Sequence, residues 1–378
     1  MKPNKPSFAI IAILLLLAGI GVLITHQKKI STTPNVSPIM YHQKKLLIEP
    51  KHYESEVVIG GIGDILIHDW VYEDAKTKNG YDFNPMFEPV RSMLQKPDFL
   101  IANQESVPGG TEIGISNYPS FNSPHEIVDA LMEAGVDMVT TANNHALDRG
   151  EKAILSAISY YEKKHLPYAG TYKSPQDKEN MRIISINGIR MAVLPYATHT
   201  NGIPIPEGKD YLVNMLDKDK VLADIQQAKT KADFIILALH WGDEYQRKPN
   251  ETQKQLAHEF IKAGADLILG HHPHVLQPME WIEKSDGQKG LVVYSLGNFL
   301  SGQLWDYKDI GGMVEVTVKK EYKDEESNTF IQKASLHPTF TASKQFRTYR
   351  VYPLDEAKEK GLTTHSSKEI QEFFESKR

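Results

Sequence analysis

The chain has 378 residues, 40% of them apolar and 24% charged, so it can bury a sizeable core as one large domain or two modest ones. A net charge of −5, with no basic stripe and no aromatic–basic interleaving, argues against nucleic-acid binding. Cysteine is absent, which excludes disulfides, thiolate zinc sites, iron–sulfur clusters and cysteine nucleophiles, while fifteen histidines supply the commonest transition-metal ligand.

Phe8 to Ile24 is an unbroken apolar run. As a helix it would be about 26 Å long, close to the hydrocarbon thickness of a bilayer. A cleaved signal peptide is the competing reading. The run exceeds a usual signal core and no A-x-A-like site follows it, which favours a retained anchor. Lys2 and Lys5 precede it and Lys28 and Lys29 follow, so flanking charge orients it only weakly. The stretch from Ile30 to Ser55, with STTPNVSP and no hydrophobic period, reads as a linker.

From Glu56 strand-like and helix-like segments alternate. VVIGGIGDILI (57–67) reads as a strand, 85–98 as a helix, and FLIANQES (99–106) as a strand running into a polar turn. PHEIVDALMEAGV is helical and DMVTTANNH (137–145) is a strand. A helix near 151–164 leads to the strand MAVLPYAT (191–198), then come a helix near 217–231 and the strand DFIILALHWG (233–242). A helix near 251–263 precedes the strands DLILGHH (266–272) and GLVVYSLGNFL (290–300). Short apolar runs between helices mark strands buried on both faces, so the expectation is an α/β architecture around a central sheet. Beyond Gly312, VEVTVKK and the stretch near 329–352 read as antiparallel strands, and 365–378 as a polar helix or loose tail.

The unusual polar residues fall at the strand ends. Asp64 ends the first strand, Asn103 and Glu105 the second, and Asn143, Asn144 and His145 the third. His240 and Trp241 end the strand 233–242, His271, His272 and His274 follow the next, and Asn298 closes VVYSLG. The carboxyl edge of an α/β sheet is where ligands bind. One strand-end Asp or Asn is commonly a turn former or helix cap, and one such His commonly a hydrogen-bonded residue. Six such ends together point to a metal or phosphate site. Imidazole, carboxylate and amide oxygen without sulfur suit one or two divalent ions, Mn, Zn or Fe. Two adjacent ions bridged by one carboxylate could activate a water for attack on a phosphoryl centre.

GD, N-x-E, ANNHALD-x-G, HWGDEY, GHHPHVLQ and YSLGNF occur in this order between about 57 and 302. The set resembles the poly-γ-glutamate capsule synthesis (CapA/PgsA-like) family, a branch of the calcineurin-like metallophosphatase superfamily. The resemblance implies a short cytoplasmic tail and single transmembrane anchor over 1–29, a linker over 30–55, a metallophosphatase-like layered domain over 56–302, and a C-terminal β-rich extension and polar tail over 303–378. It also implies a bacterial cell-membrane protein with its domain on the extracellular face, working with polyglutamate synthase and export proteins on an anionic polymer or phosphorylated substrate.

Matched to the family's motifs, Asp64, Glu105, Asn144, His240, His272 and His274 take the metal positions, with Glu105 where a bridging aspartate usually stands. His145 takes the general-acid position, and Asp148 is a second catalytic candidate, supporting the site or facing substrate. His68, Asn103, Trp241, Glu244, Tyr245 and Asn298 are candidates for supporting the ligands or facing substrate, with packing the alternative for Trp241 and Tyr245 and a turn role for Asn298. The superfamily's D-x-H histidine is replaced by Leu66, and the nearest histidine, His68, is four residues from Asp64. That departure puts the second metal position in question. Three roles follow as alternatives: an accessory protein of polyglutamate synthesis and export, a metal-dependent phosphoesterase acting on a cell-surface phosphodiester, or a non-catalytic, metal-stabilised scaffold.

Overall fold

The computed structural model describes residues 52–323 and 326–376. The expected anchor, and all but the end of the linker, lie outside the described residues. Among the described residues no helix is long and apolar enough to cross a membrane.

The strands expected around one central sheet are divided between two. The first runs β16 (Arg347–Pro353), β15 (Glu326–Lys344), β14 (Ile310–Lys323), β1 (His52–Leu66), β4 (Phe99–Gln104), β5 (Met138–Thr140) and β6 (Tyr168–Ala169), and β13 (Asn298–Ser301) also pairs with β1. The second runs β11 (Leu276–Glu283), β12 (Lys289–Leu296), β10 (Leu267–His271), β9 (Phe234–His240), β8 (Ile189–Ala197) and β7 (Ile183–Ile186). A two-residue-per-strand hairpin, β2 (Lys76–Thr77) and β3 (Gly80–Tyr81), stands apart. Each sheet has a parallel run, β1-β4-β5-β6 in one and β8-β9-β10-β12 in the other; antiparallel strands flank it on one side in the first sheet and on both sides in the second.

Alternation along the strands builds three apolar layers. Val57 and Ile59 of β1, Met191 and Val193 of β8, Phe234 and Ile236 of β9, and Leu267 and Leu269 of β10 fill the space between the sheets. Ile62 and Ile65, on the other face of β1, meet the helices Glu126–Ala134 and Gly150–Lys164. Ile235, Leu237 and Ile268 meet the helices Lys218–Lys229 and Glu251–Ala263. The order is helix, sheet, sheet, helix, so strands in both sheets are covered on both faces.

The segment 85–98 is broken rather than one helix. Asn84–Phe87 and Arg91–Leu94 are short helices joined by a 3₁₀ turn that contains Pro89, whose missing N–H and bulky ring disfavour a continuous helix. The strands beyond residue 302 are part of the first sheet, since β14 pairs with β1 from His52 to Ile62. Ser367–Phe374 is a helix that buries Ile370 and Phe374 against the intersheet core.

One polar cluster ties the sheets together at the amino end of β9. Asp233 accepts from Arg190 Nη2 on β8 and from Lys320 Nζ on β14, each at 2.9 Å. Burial alone would raise Asp233, but the bonds from Arg190 and Lys320 hold it at about 2. A depressed carboxylate stabilises the fold above its unfolded value, near about 4, and the gain is lost as pH falls towards the folded one. Asp233→Asn should therefore lower the melting temperature at neutral pH, with the gap to wild type closing between about pH 4 and about pH 2. Thermal melts across that range check it; a gap that does not narrow there contradicts it.

Candidate metal centre

Gly63 is where β1 departs from regular pairing. The register to β4 shifts between Ile62 and Asp64, so one extra residue puts Asp64 out of step with Ile62 and turns its side chain away from the helix layer. The close approach requires glycine, because a Cβ at position 63 would lie 2.1 Å from Gly297 O. Asp64 N then donates to Gly297 O at 2.8 Å. Gly297 (φ +65°) is the break between β12 and β13, where the chain passes from the second sheet to the first. The carboxyl ends of both parallel runs thus meet at one place.

Asp64 is the organiser. Its Oδ1 accepts from Asn103 Nδ2 at 2.9 Å and lies 3.1 Å from His271 Nδ1; its Oδ2 accepts from His272 N at 3.3 Å and lies 3.3 Å from His274 Nδ1. His271 and His274 outweigh burial and hold the Asp64 carboxyl well below its usual range. His272 and His274 both have left-handed backbones (φ +97° and +59°), which aims the two rings from one tight turn.

Glu105 is fully buried, and neither carboxylate oxygen has a hydrogen-bond partner. His240 Nε2 stands 3.6 Å and His274 Nε2 3.7 Å from its Oε1. Burial pushes the Glu105 carboxyl well above its usual range. Burial likewise drives His272 down to about 3 and His240 well below 6.5, so both rings are neutral and carry lone pairs. Burial would lower His274 as well, yet Glu105 and Asp64 raise it to about 9. His240 Nε2 also lies 2.8 Å from Asn144 Oδ1.

Three overlapping groups bring their ligand atoms within 4.8 Å of one another: Glu105, His240 and His272; Asp64, Glu105 and His274; and Glu244, His272 and His274. His240 Nδ1, His271 Nε2 and His272 Nδ1 are buried without partners, like the two Glu105 oxygens. Buried polar atoms without partners are costly in a folded protein. The donor set fits a divalent cation, which would satisfy the carboxylate and displace protons as it enters. Glu105 belongs to two of the groups, as a bridging carboxylate would.

Residues 58–303 match the model of the bacterial capsule synthesis protein PGA_cap. The chain belongs to that family. It is 30% identical to the capsule biosynthesis protein CapA of Bacillus anthracis over 94% of this chain and 84% of that one. It is also 30% identical to the PGA biosynthesis protein CapA of Bacillus subtilis, covering 71% and 70%. Among solved structures, the calcineurin-like phosphoesterase YfkN of Bacillus subtilis overlaps with a TM-score of 0.43 at 15% identity, covering 82% of this chain and 97% of that one. An overlap of that size carries no argument about chemistry.

The PGA_cap motifs sort by what their side chains touch. ANNHALD supplies Asn144 and a tight pair, with His145 Nδ1 at 2.7 Å from Asp148 Oδ2. Phe121 stacks edge-on to His145 at 4.7 Å, and its backbone N–H donates to the same Asp148 oxygen at 2.7 Å. Asn143 points into the protein, where its Oδ1 accepts from His145 N and its Nδ2 donates to Gln104 O. Asn103 holds Asp64, and Asn298 Oδ1 lies 3.0 Å from His274 Nδ1, so both support candidate ligands.

Trp241 is a packing residue, not a substrate-facing one: it is buried, stacks on Tyr294 and donates Nε1–H to Tyr294 O. Glu244 is exposed beside His272 and His274, and half-exposed Tyr245 accepts from Gln303 Nε2. Leu66 is in the core, and His68 does not replace the missing D-x-H histidine. Its Nδ1 lies 3.1 Å from Leu66 O and 3.2 Å from Gly302 N, its ring packs on Phe121, and it joins none of the three groups. His271 was visible in HHPH but not assigned a role; only folding shows it reaching Asp64. His199 and Asn201 had no motif to mark them.

Glu105→Gln separates the two roles of the buried carboxylate. It should abolish uptake of Mn²⁺ or Zn²⁺ by elemental analysis while leaving the metal-free melting temperature unchanged or higher, because a poorly satisfied acid is replaced by an amide of the same shape. Wild type should gain about 2.7 kcal/mol at a free ion concentration of about 100 times Kd, and the variant should not. Equal metal content in the two proteins contradicts the assignment.

Proposed function

We propose that this protein is an accessory factor of poly-γ-glutamate capsule synthesis and export. In this reading the apolar run near the amino terminus holds it in the bacterial cell membrane, with the domain on the outer face. There it works with the synthase and export proteins on the anionic polymer or a phosphorylated substrate. The observation that carries the reading is the buried, partnerless Glu105 carboxylate gathered with Asp64, His240, His272 and His274, within the span that matches PGA_cap. The names of the two Bacillus relatives support the pathway. Asp64, Glu105, Asn144, His240, His272 and His274 would hold one or two divalent ions, Mn, Zn or Fe.

The His145–Asp148 pair favours a second reading, a phosphoesterase acting on a cell-surface phosphodiester. A divalent ion bound at this centre supplies Lewis-acid polarisation of a phosphoryl oxygen. The chain's own residues do the rest. Asp148 accepts from His145 Nδ1 and fixes the tautomer, and Phe121 covers one side of the ring. Nε2 is left as the atom at which His145 holds a proton or gives it to a leaving oxygen. Asn144 braces His240 through its amide oxygen.

The pathway reading is tested by deletion in the host, where polymer output should fall and be restored by the wild-type gene but not by Asn144→Ala or His272→Ala. Unchanged output on deletion would sink it. The phosphoesterase reading is tested with an aryl phosphodiester: turnover should require added metal and drop at least about 100-fold in His145→Ala, the scale of general acid–base catalysis. No turnover with Mn²⁺, Zn²⁺ or Fe²⁺ would leave the accessory role without this chemistry.

A further inference from the structure

The loop after β8, residues 198–202, carries none of the family's motifs, yet it closes one side of the centre. Asn201 and Gly202 both take left-handed backbone (φ +51° and +76°), a conformation that asparagine tolerates better than other residues with a side chain. Asn201 Oδ1 accepts from Asn144 Nδ2 at 3.3 Å, and its Nδ2 lies 3.4 Å from His145 Nδ1. The loop is therefore in contact with both a candidate ligand and the candidate acid.

The same turn sets the tautomer of His199. Asn201 N–H donates to His199 Nδ1 at 3.4 Å. A neutral imidazole that accepts at Nδ1 carries its proton on Nε2, so the far side of the ring is a donor. His199 is exposed, and its ring stands edge-on to His272 with centroids 5.1 Å apart. The His199 ring, with Nε2–H as its donor, is thus held one ring away from a candidate ligand. Glu244 is the opposing charge at this rim. Its carboxylate shares a ligand-distance group with His272 and His274, which places it to meet a cation. His145 is already committed to Asp148.

We propose that His199 is a specificity-determining residue whose Nε2–H donates to an anionic oxygen, phosphoryl or carboxylate, of the molecule entering the centre. The proposal rests on the reading of the centre as a metal site that takes an anionic substrate, and it names the group that recognises the anion. Asn201 is a positioning residue, holding the His199 ring through its N–H and the Asn144 amide through its Oδ1 from one turn.

The test is calorimetric titration of the full chain, loaded with Mn²⁺, using inorganic phosphate in one arm and tri-γ-glutamate in the other. His199→Ala should weaken one or both about tenfold, the scale of one hydrogen bond to a charged group, with Mn²⁺ content unchanged. His199→Gln, which keeps an N–H donor, should restore most of the loss. A loss confined to phosphate names a phosphoryl group as the ligand; a loss confined to the peptide names a carboxylate. Equal binding of both anions by wild type and His199→Ala overturns the proposal, and so does loss of Mn²⁺ from His199→Ala, which would make His199 a ligand. If wild type itself takes up no ion, the metal reading fails. The comparison is then made on the metal-free protein, where equal anion binding still overturns the role of His199.

Discussion

The rest of the centre hangs from the place where two backbones touch. Gly63 faces Gly297 O so closely that no side chain fits, and Asp64 N–H bonds to that oxygen. This one approach does three things. It takes Asp64 out of the alternation of β1, lets β12 of one sheet continue as β13 of the other, and brings Asn298 alongside Asp64. A methyl group at Gly63 would push the two backbones apart, and with them the loops that carry the candidate ligands.

Burial then decides the chemistry. Two carboxylates and four imidazoles sit together away from water, and their charges cannot all be satisfied by one another. Asp64 is supplied with donors from Asn103, His271, His272 and His274, and so stays ionised. Glu105 has none, and burial pushes it towards its neutral form. The difference is a division of labour: Asp64 shapes the 271–274 turn, and Glu105 is left as the strongest unmet demand for a cation. Stability is held elsewhere, in the three apolar layers and in the Arg190–Asp233–Lys320 cluster at the other end of the parallel strands.

Much of this was legible in the sequence because it is local. Apolar runs bounded by turns located the strands β4, β8, β9 and β10 within a few residues, and the helices 150–164 and 251–263 within one. ANNHALD, HWGDEY and GHHPHVLQ identified the family and most of the gathered residues. Local signals failed where a contact overrode them. Pro89 broke the expected helix at 85–98, and the short edge strand β7 and the long β11 lacked a distinctive pattern. Trp241 looked like a site residue by its position next to His240, but the side chain turns into the core.

The residues by themselves determined which side chains stand at the carboxyl ends of which strands, that no thiolate is available, and that Leu66, not a histidine, stands two residues after Asp64. These are properties of order along the chain. Tertiary structure decided that the strands form two sheets, that His271 turns to Asp64 while His68 turns to Leu66 O and Phe121, and that the 198–202 loop shares the centre. Those outcomes depend on pairings between residues as far apart as 64 and 271, chosen by backbone approach and by the need to satisfy buried polar groups. No periodicity along the chain encodes such distances, which is why most of the gathered residues could be named in advance but not their partners.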